Sequence, residues 1–436
     1  MAKRISISDL FSGFGIPQQT YVAQENGLYE KQLKQGLKEL GTLCLITGSS
    51  KTGKTTLYHK VLDSVDRTPL VIRCDSTIDS NEFWKRPLEA INFRVLKEVH
   101  TGNTSETQSS GKIGGKIGWE WLAGLIGEVS LGLKKEKTET EVREAIISKP
   151  SPNHLIPLLK KTNAILVIED FHYLETKTQK EVFQQWKAFI DEGVSVVVIG
   201  TTHHGVDLAY ANPDLVGRIQ QIDLMRWSKK DLNEIGNKGF NELGVETPKT
   251  VIDLISGESA GLPIITQQAC GQLFVDKNIY DLKFGEQVHF KKNDAFNALH
   301  HVAINRYKQF ESWYTRLTTG PRKAARKYNT YELLLSAFTL DPLKFELKRH
   351  EIDERITKMP IGNSKKPPAA SINSTLAALG KFQKNNGFEL IEWSKRDQAI
   401  FVIEPAFLFY LRWREARTVV PNIIEIIENL IKELKK

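Results

Sequence analysis

The sequence predicts an α/β fold with a parallel sheet, followed by a mainly helical second half. Three observations lead to this prediction. The apolar run GTLCLITG, residues 41–48, is followed by a glycine-rich loop and then by helical spacing, the order of a strand, a loop and a helix. Two further apolar runs, AILVIED (164–170) and VSVVVIG (194–200), end in polar or glycine positions. After Trp227 the apolar spacing becomes that of helices.

Length and composition predict an ordinary globular protein. The chain has 436 residues, a net charge of +8 and 40% hydrophobic residues, which suggests about three domains at ~150 residues each. No apolar run reaches the ~18 residues of a membrane helix, and the N-terminus has no apolar core of a secretory signal. Three distant cysteines are typical of reduced, buried thiols in a cytoplasmic protein. The mild positive charge permits a polyanionic partner without requiring one.

A phosphate-binding loop follows the first strand. The segment from Gly48 to Thr55 fits the pattern G-x-x-x-x-G-K-[ST] in its required place between a strand and a helix. Glycines allow backbone amides to surround phosphate oxygens, and the helix N-terminus adds positive potential. Lys54 is expected to reach the β- and γ-phosphates and Thr55 to bind Mg²⁺. The predicted nucleotide-binding residues of this loop are Gly48, Ser49, Ser50, Lys51, Thr52, Gly53, Lys54, Thr55 and Thr56.

Two carboxylates end the second strand. Glu169 and Asp170 follow the apolar residues 165–168, and together with the loop they resemble the acidic motif of P-loop ATPases of the AAA+ type. That motif has aspartate first, to hold magnesium, and glutamate second, to position the attacking water. The order here is reversed, so the resemblance implies that Glu169 is the metal residue and Asp170 a shorter catalytic base. A shorter base reaches the water less well, which predicts slow hydrolysis. The alternative is a buried strand with solvated charges at its end.

Further AAA+ positions follow along the chain. Thr201 or Thr202 matches the polar sensor of the γ-phosphate at the end of the third strand, although a strand-end hydrogen bond explains either residue equally well. Arg218 precedes the strand-like IQQIDL and matches an arginine finger acting on a neighbouring subunit; a local ion pair is the alternative. His203 and His204 lack accompanying metal-ligand spacing, so we expect no metal site there.

A turn in the helical half makes the resemblance more specific. Gly261-Leu262-Pro263 interrupts two predicted helices, and the chain resembles the STAND branch of AAA+-like ATPases and the related archaeal-type and origin-recognition-type ATPases over roughly residues 15–412. The resemblance implies that Pro263 packs near the nucleotide and that Tyr21 and Val22 border the adenine. Initiator-type relatives carry an arginine soon after the turn. Residues 264–268, IITQQ, contain none, which favours STAND.

The resemblance implies a three-layer P-loop NTPase core of the AAA+-like ASCE type, a helical lid and a winged helix. We expect the core over 1–223, the lid over 224–315, the winged helix over 316–414 and a C-terminal helix over 415–436. An insertion at about 100–140 is expected to be a flexible loop with a packed hairpin, or else a self-association element. The third helix of the winged helix offers polar and basic residues for DNA, although STAND proteins commonly use this module as a structural arm. These residues are Ser371, Asn373, Ser374, Lys381 and Lys384, with Lys365, Lys366, Arg322, Lys323, Arg326 and Lys327 nearby.

The sequence thus predicts an ATPase that uses ATP and Mg²⁺. The first hypothesis is a regulatory nucleotide switch that controls its own oligomerisation or an effector chain, in a context such as antiviral defence. The second is a DNA-binding ATPase of the initiator or mobile-element type. A small-molecule kinase is a weaker third, because it would need neither the lid turn nor the winged helix. No membrane partner is expected.

Overall fold

The computed structural model describes residues 4–13, 15–87, 151–161, 163–200, 215–320, 328–359 and 366–416. The predicted insertion, Thr201, Thr202, both histidines that follow them and most of the predicted C-terminal helix lie outside these ranges. The chain divides into two compact units. We call Ala23–Ser49 with Gly53–Met225 the sheet unit, and Met1–Val22 with Ser50–Thr52 and Arg226–Lys436 the helical unit.

The strands in chain order are β1 (Arg4–Ser6), β2 (Leu43–Gly48), β3 (Thr68–Arg73), β4 (Ala164–Glu169), β5 (Val196–Ile199), β6 (Ile219–Leu224), β7 (Asp281–Lys283), β8 (Glu346–Lys348), β9 (Ile391–Ser394) and β10 (Ala399–Val402). The first helices are α1 (Ile7–Leu10), α2 (Leu28–Lys38), α3 (Lys54–Ser64), α4 (Pro152–Lys161), α5 (Thr176–Gln185) and α6 (Lys187–Asp191). The helices of the second half are α7 (Lys229–Leu243), α8 (Lys249–Glu258), α9 (Pro263–Val275), α10 (Lys292–Arg306), α11 (Gln309–Thr319), α12 (Thr330–Phe338), α13 (Arg349–Lys358), α14 (Ala369–Asn385) and α15 (Pro405–Trp413). Residues 80–87 are also helical.

The predicted parallel sheet is confirmed. Its five strands lie in the order β3-β4-β5-β2-β6, and every pairing is parallel. One strand, β5, therefore separates the strand before the phosphate loop from the strand that ends in the carboxylates. Because all strands run the same way, the residues after β2 and β4 meet at one edge of the sheet.

Both faces of this sheet are covered, which explains the continuous apolar runs in the sequence. In β2, Leu43 and Leu45 belong to one apolar cluster, whereas Cys44 and Ile46 belong to the other. Residues of α2 and α3 fill the cluster of Cys44, and residues of α4 and α5 fill that of Leu43. The sheet unit is thus a three-layer α/β structure.

One continuous apolar core runs through the helical unit from Ile7 to Trp413. The N-terminal segment takes part in it: β1 pairs antiparallel with β7, and Phe11 contacts the rings of Phe240 and Phe274 at centroid distances of 5.6 and 6.2 Å. The helix α9 begins with Pro263, which supplies a fixed backbone angle where no helical N–H partner is needed.

The last part of the helical unit has the order α12, β8, α13, α14, β9, β10, α15, with an antiparallel sheet β8-β10-β9. A winged helix requires this order, and the winged-helix assignment itself stays a prediction. All nine residues of α15 are buried. Among the described residues, no helix is long and apolar enough to cross a membrane. The three cysteines are buried and unpaired.

Candidate functional site

The phosphate loop lies between β2 and α3, at the edge where the parallel strands end. Its backbone is left-handed at Lys51 (φ 64°) and at Gly53 (φ 98°), which is the residue before the first turn of α3. Glycine adopts this conformation without steric cost, so Gly53 allows the loop to turn directly into the helix. The loop thus leads into a helix N-terminus, where backbone N–H groups favour an anion.

Lys54 is the first residue of α3 and stays within the loop. Its Nζ donates hydrogen bonds to the carbonyls of Gly48 and Ser49 at 2.9 and 2.7 Å. Thr55 and Thr56 follow in the first turn of the helix. Lys54, Thr55 and Thr56 therefore supply an ammonium and two hydroxyls at the edge of the sheet, a set of groups suited to a polyphosphate.

Glu169, the last residue of β4, is hydrogen-bonded to this loop helix. It is 6% exposed. Its Oε1 accepts hydrogen bonds from Thr55 Oγ1 at 3.2 Å and from the Tyr58 hydroxyl at 3.1 Å, and its Oε2 accepts one from Arg73 Nε at 3.0 Å. The carboxylate and the threonine hydroxyl, predicted from separate motifs, thus lie within hydrogen-bonding distance.

Asp170 follows at the sheet edge with a left-handed backbone (φ 59°). Partial burial, and next the negative charge of Glu169, raise the pKa of Asp170 above its ordinary range, while Lys54 and Arg73 act in the opposite direction. The two carboxylates consequently differ in environment: Glu169 is enclosed by donors, whereas the pKa of Asp170 is raised, chiefly by partial burial. A raised pKa suits a group that accepts a proton.

Sequence reasoning missed two residues of this site, Tyr58 and Arg73. Tyr58 is fully buried on α3, three residues after Thr55 and therefore on the same side of the helix. Arg73 ends β3 and pairs in register with Glu169 on the neighbouring strand. The spacing of Tyr58 from Thr55 along a predicted helix could have indicated that the two side chains lie on the same side. Arg73 had no such signal, because the sequence does not give the register of β3 against β4.

The other predicted residues lie elsewhere in the fold. Arg218 is exposed just before β6, where its carbonyl accepts a hydrogen bond from the Leu43 amide at 2.9 Å. Its role as an arginine finger stays a prediction. Thr201 and Thr202 follow β5 in the chain, and their role as sensors lies outside the described residues.

Ser50, Lys51, Thr52, Tyr21, Val22 and Pro263 are grouped with the helical unit. Within it, the Thr52 carbonyl accepts a hydrogen bond from the Trp227 indole at 2.9 Å, and the Tyr21 carbonyl accepts one from Lys238 Nζ at 2.7 Å. Val22 packs in a small apolar cluster with Trp227 and residues of α7. Their nucleotide contacts stay predictions.

The residues present fit a magnesium ion that is bound together with a nucleotide. Mg²⁺ prefers oxygen ligands and usually takes only one or two from the protein, the rest coming from phosphates and water. Thr55 and Glu169 supply a hydroxyl and a carboxylate in hydrogen-bond contact. Over the described ranges, the chain has no cluster of three or more His, Cys, Asp or Glu side chains that could hold a metal by themselves.

No protein-family model matches the sequence, and no curated protein matches it. Several solved structures match the structure of this chain. The Walker-type ATPase of Pyrococcus abyssi is 16% identical, with a TM-score of 0.52 over 92% of this chain and 99% of that one. Cdc6p from Pyrobaculum aerophilum is 10% identical, with a TM-score of 0.44 over 95% and 100% of the two chains. The Orc1 protein of Aeropyrum pernix, solved with DNA, is 14% identical, with a TM-score of 0.41 over 94% and 96%.

At these identities the likeness concerns the fold alone, and the two comparisons below a TM-score of 0.5 support no argument. The likeness to the Pyrococcus abyssi structure extends over nearly the whole of both chains, and this chain has a five-stranded parallel sheet with a phosphate-loop motif after β2. The chain therefore has the α/β fold of a P-loop NTPase.

Proposed function

We propose that the chain is a regulatory ATPase in which ATP acts as a switch. The observation that carries the proposal is the hydrogen bond of 3.2 Å between Thr55 and Glu169. In this proposal Thr55 provides the metal-binding hydroxyl of the phosphate loop, and Glu169 provides the carboxylate of the acidic motif. This contact supports nucleotide binding with magnesium, and the P-loop NTPase fold supports the same reading.

In this proposal each residue has a distinct role. Lys54 offsets the charge of the β- and γ-phosphates, and Thr55 with Glu169 holds Mg²⁺. The bound ion neutralises phosphate charge. Asp170 positions the attacking water and accepts its proton. Its side chain is one methylene shorter than the usual glutamate, so we expect turnover below ~1 s⁻¹, at the low end of ordinary enzymes.

A slow ATPase suits a switch better than a motor, because the bound state lasts long enough to be recognised by a partner. A ligand shifts an equilibrium only by its different affinities for the two states. Contacts to the γ-phosphate from Lys54 and the predicted sensor threonines can contribute ~1–3 kcal/mol of such coupling. We propose that the ATP-bound state controls assembly of the chain with its own copies or with an effector protein. The STAND resemblance adds antiviral defence as the proposed context.

The test measures the mass of the assembly by mass photometry with ATP, ADP and a non-hydrolysable analogue, alongside turnover. We expect ATP and the analogue to give one assembly state and ADP another, and the variant Lys54→Ala to respond to none of them. Turnover well above ~1 s⁻¹ with identical assembly in ATP and ADP would contradict the switch.

One observation favours a second candidate, a DNA-binding ATPase of the initiator or mobile-element type. On α14, the third helix of the predicted winged helix, Asn373, Ser374, Lys381 and Lys384 are exposed, and this module reads DNA in many proteins. Binding of duplex DNA that weakens steeply with salt, and weakens further in Lys381→Ala/Lys384→Ala, would favour this candidate. Salt-insensitive or absent binding would favour the protein switch.

A further inference from the structure

Three donors from two elements fix the carboxylate of Glu169. The hydroxyls of Thr55 and Tyr58, both on α3, bind Oε1, and the guanidinium of Arg73, at the end of β3, binds Oε2. Both oxygens are therefore held, Oε1 by two groups on α3 and Oε2 by one group on β3. Of these donors, only Thr55 belongs to the phosphate-loop motif.

A glutamate at this position needs such support more than an aspartate does. It has one more rotatable bond between the backbone and the carboxylate, so its oxygens can occupy more positions. Its carboxylate is also nearly excluded from water, with a residue exposure of 6%. A buried carboxylate is costly unless donors satisfy it. Tyr58 and Arg73 supply these donors and limit the carboxylate to one place.

We propose that Tyr58 and Arg73 are positioning residues that hold the Glu169 carboxylate where magnesium is bound. The proposal rests on the proposed function, in which Glu169 is the metal residue. The two residues act differently. Tyr58 is completely buried and fixes Oε1 from within the core, whereas the side chain of Arg73 is 79% exposed and fixes Oε2 from the surface.

The experiment measures ATP affinity in Mg²⁺ and in EDTA for the parent chain, Tyr58→Phe and Arg73→Gln. Partners that orient a metal ligand typically change metal affinity by about 10–100-fold when they are lost. The Mg²⁺ gain is the ratio of ATP affinity in Mg²⁺ to ATP affinity in EDTA. We expect this ratio to fall at least about tenfold in each variant, with the affinity in EDTA unchanged. Arg73→Lys should recover part of the loss, because lysine can still donate to the carboxylate.

Tyr29→Phe is the matched control. Tyr29 is a buried tyrosine of the same unit, but its hydroxyl accepts a hydrogen bond from the Met225 amide at 3.3 Å and does not contact Glu169. It should keep the full Mg²⁺ gain. If Tyr58→Phe does not fold, Arg73→Gln still tests the proposal, since its side chain is mostly in solvent.

A measurement without nucleotide checks the contact itself. The unfolding midpoints of Tyr58→Phe, Glu169→Ala and the double variant should be non-additive, because the second change removes a partner already lost. Additive midpoints, an unchanged Mg²⁺ gain in both variants, or an equal loss in Mg²⁺ and EDTA would overturn the proposal. A parent chain that binds no ATP at all would instead refute the proposed function.

Discussion

At the scale of single residues, the site combines groups that the sequence could predict with groups that it could not. The loop pattern and the apolar strand identified Lys54, Thr55 and Glu169, because each motif is local in the chain. The contact between Thr55 and Glu169 spans 114 positions, and only the common edge of a parallel sheet predicts it. Arg73 depends on strand register, for which a short apolar run contains no information.

Lys54→Ala should abolish ATP binding and leave the fold intact. The lysine donates hydrogen bonds to loop carbonyls, and in the proposed complex its ammonium offsets the charge of the phosphates. Isothermal titration with ATP measures the effect, with circular dichroism as the check on folding. Lys38→Ala, an exposed lysine of α2, is the control and should bind as the parent does. Affinity within threefold of the parent in Lys54→Ala would contradict the loop assignment.

Asp170→Asn and Glu169→Gln should separate the two carboxylates. The first removes the group whose surroundings favour proton uptake, so hydrolysis should fall while ATP stays bound. The second removes the charge beside Thr55, so binding should lose its dependence on Mg²⁺. Single-turnover hydrolysis and Mg²⁺ titration of ATP binding measure the two effects. Exchanged phenotypes would show that the two roles are reversed.

At the scale of elements, α15 is held by an ion pair that few sequence patterns would suggest. Arg412 is 5% exposed, and its Nη2 donates to Glu258 of α8 at 2.7 Å, while its Nη1 donates to the Thr339 carbonyl at 2.6 Å. The indole of Trp413 also donates to Glu258, at 3.0 Å. The apolar sequence PAFLFYLRW predicts a buried helix, but it does not indicate that two distant acids, Glu258 and the more exposed Asp341, pair with its arginine.

Arg412→Met should destabilise the helical unit by about 3–5 kcal/mol, the usual cost of leaving one partner of a buried pair without its counter-charge. The reason is that Glu258 would keep a largely buried charge, and among the described residues the Trp413 indole would be its remaining donor. Denaturant unfolding measures the change in free energy. Lys395→Met, at an exposed turn between β9 and β10, should change it by less than about 0.5 kcal/mol. Equal effects of the two substitutions would rule out a stabilising role for the pair.

At the scale of the whole molecule, the burial of the cysteines has a measurable effect. Burial raises the pKa of the thiols of Cys44, Cys74 and Cys270 to about 12 in each case. An unfolded thiol titrates near ~8.5. The folded chain therefore keeps the thiol protons at pH values where the unfolded chain loses them. The stability that this difference contributes is present below ~8.5, the pKa of the unfolded thiol, and is lost as the pH rises from there towards 12.

A thiol reagent should consequently label none of the 3 cysteines in the folded chain at pH 8 and all of them in denaturant. The free energy of unfolding should fall between pH 8 and pH 10, and fall less in Cys270→Ala. Mass spectrometry after labelling and denaturant titrations at each pH measure these outcomes. Rapid labelling of the folded chain would show that the thiols are accessible.

Arg218 can be tested only in the assembled protein. A finger acts on the site of a neighbouring subunit, so Arg218→Ala should reduce hydrolysis only where subunits touch. Mixing it with Lys54→Ala subunits should restore part of the activity, because one variant then supplies the finger and the other the intact loop. An absence of rescue in a demonstrated oligomer would favour a local ion pair.

The N-terminal segment was the part of the architecture least open to prediction. Strands of three residues, β1 and β7, pair across 277 positions, and nothing local in either sequence indicates the partner. The sheet, by contrast, follows from long apolar runs that only burial on both faces explains. Local patterns thus specify elements, and distant pairings specify which elements share a core.

The place of Phe11 in the core of the helical unit affects how the chain is made. Residues up to Val22 and from Arg226 onwards belong to the same unit. The segment up to Val22 is therefore synthesised more than 200 residues before the segment that begins at Arg226. At a synthesis rate of about 5–20 residues per second, roughly 10–40 s pass between the synthesis of these two segments. The sheet unit can fold during this interval, whereas the helical unit is completed only after the residues from Arg226 onwards have been made.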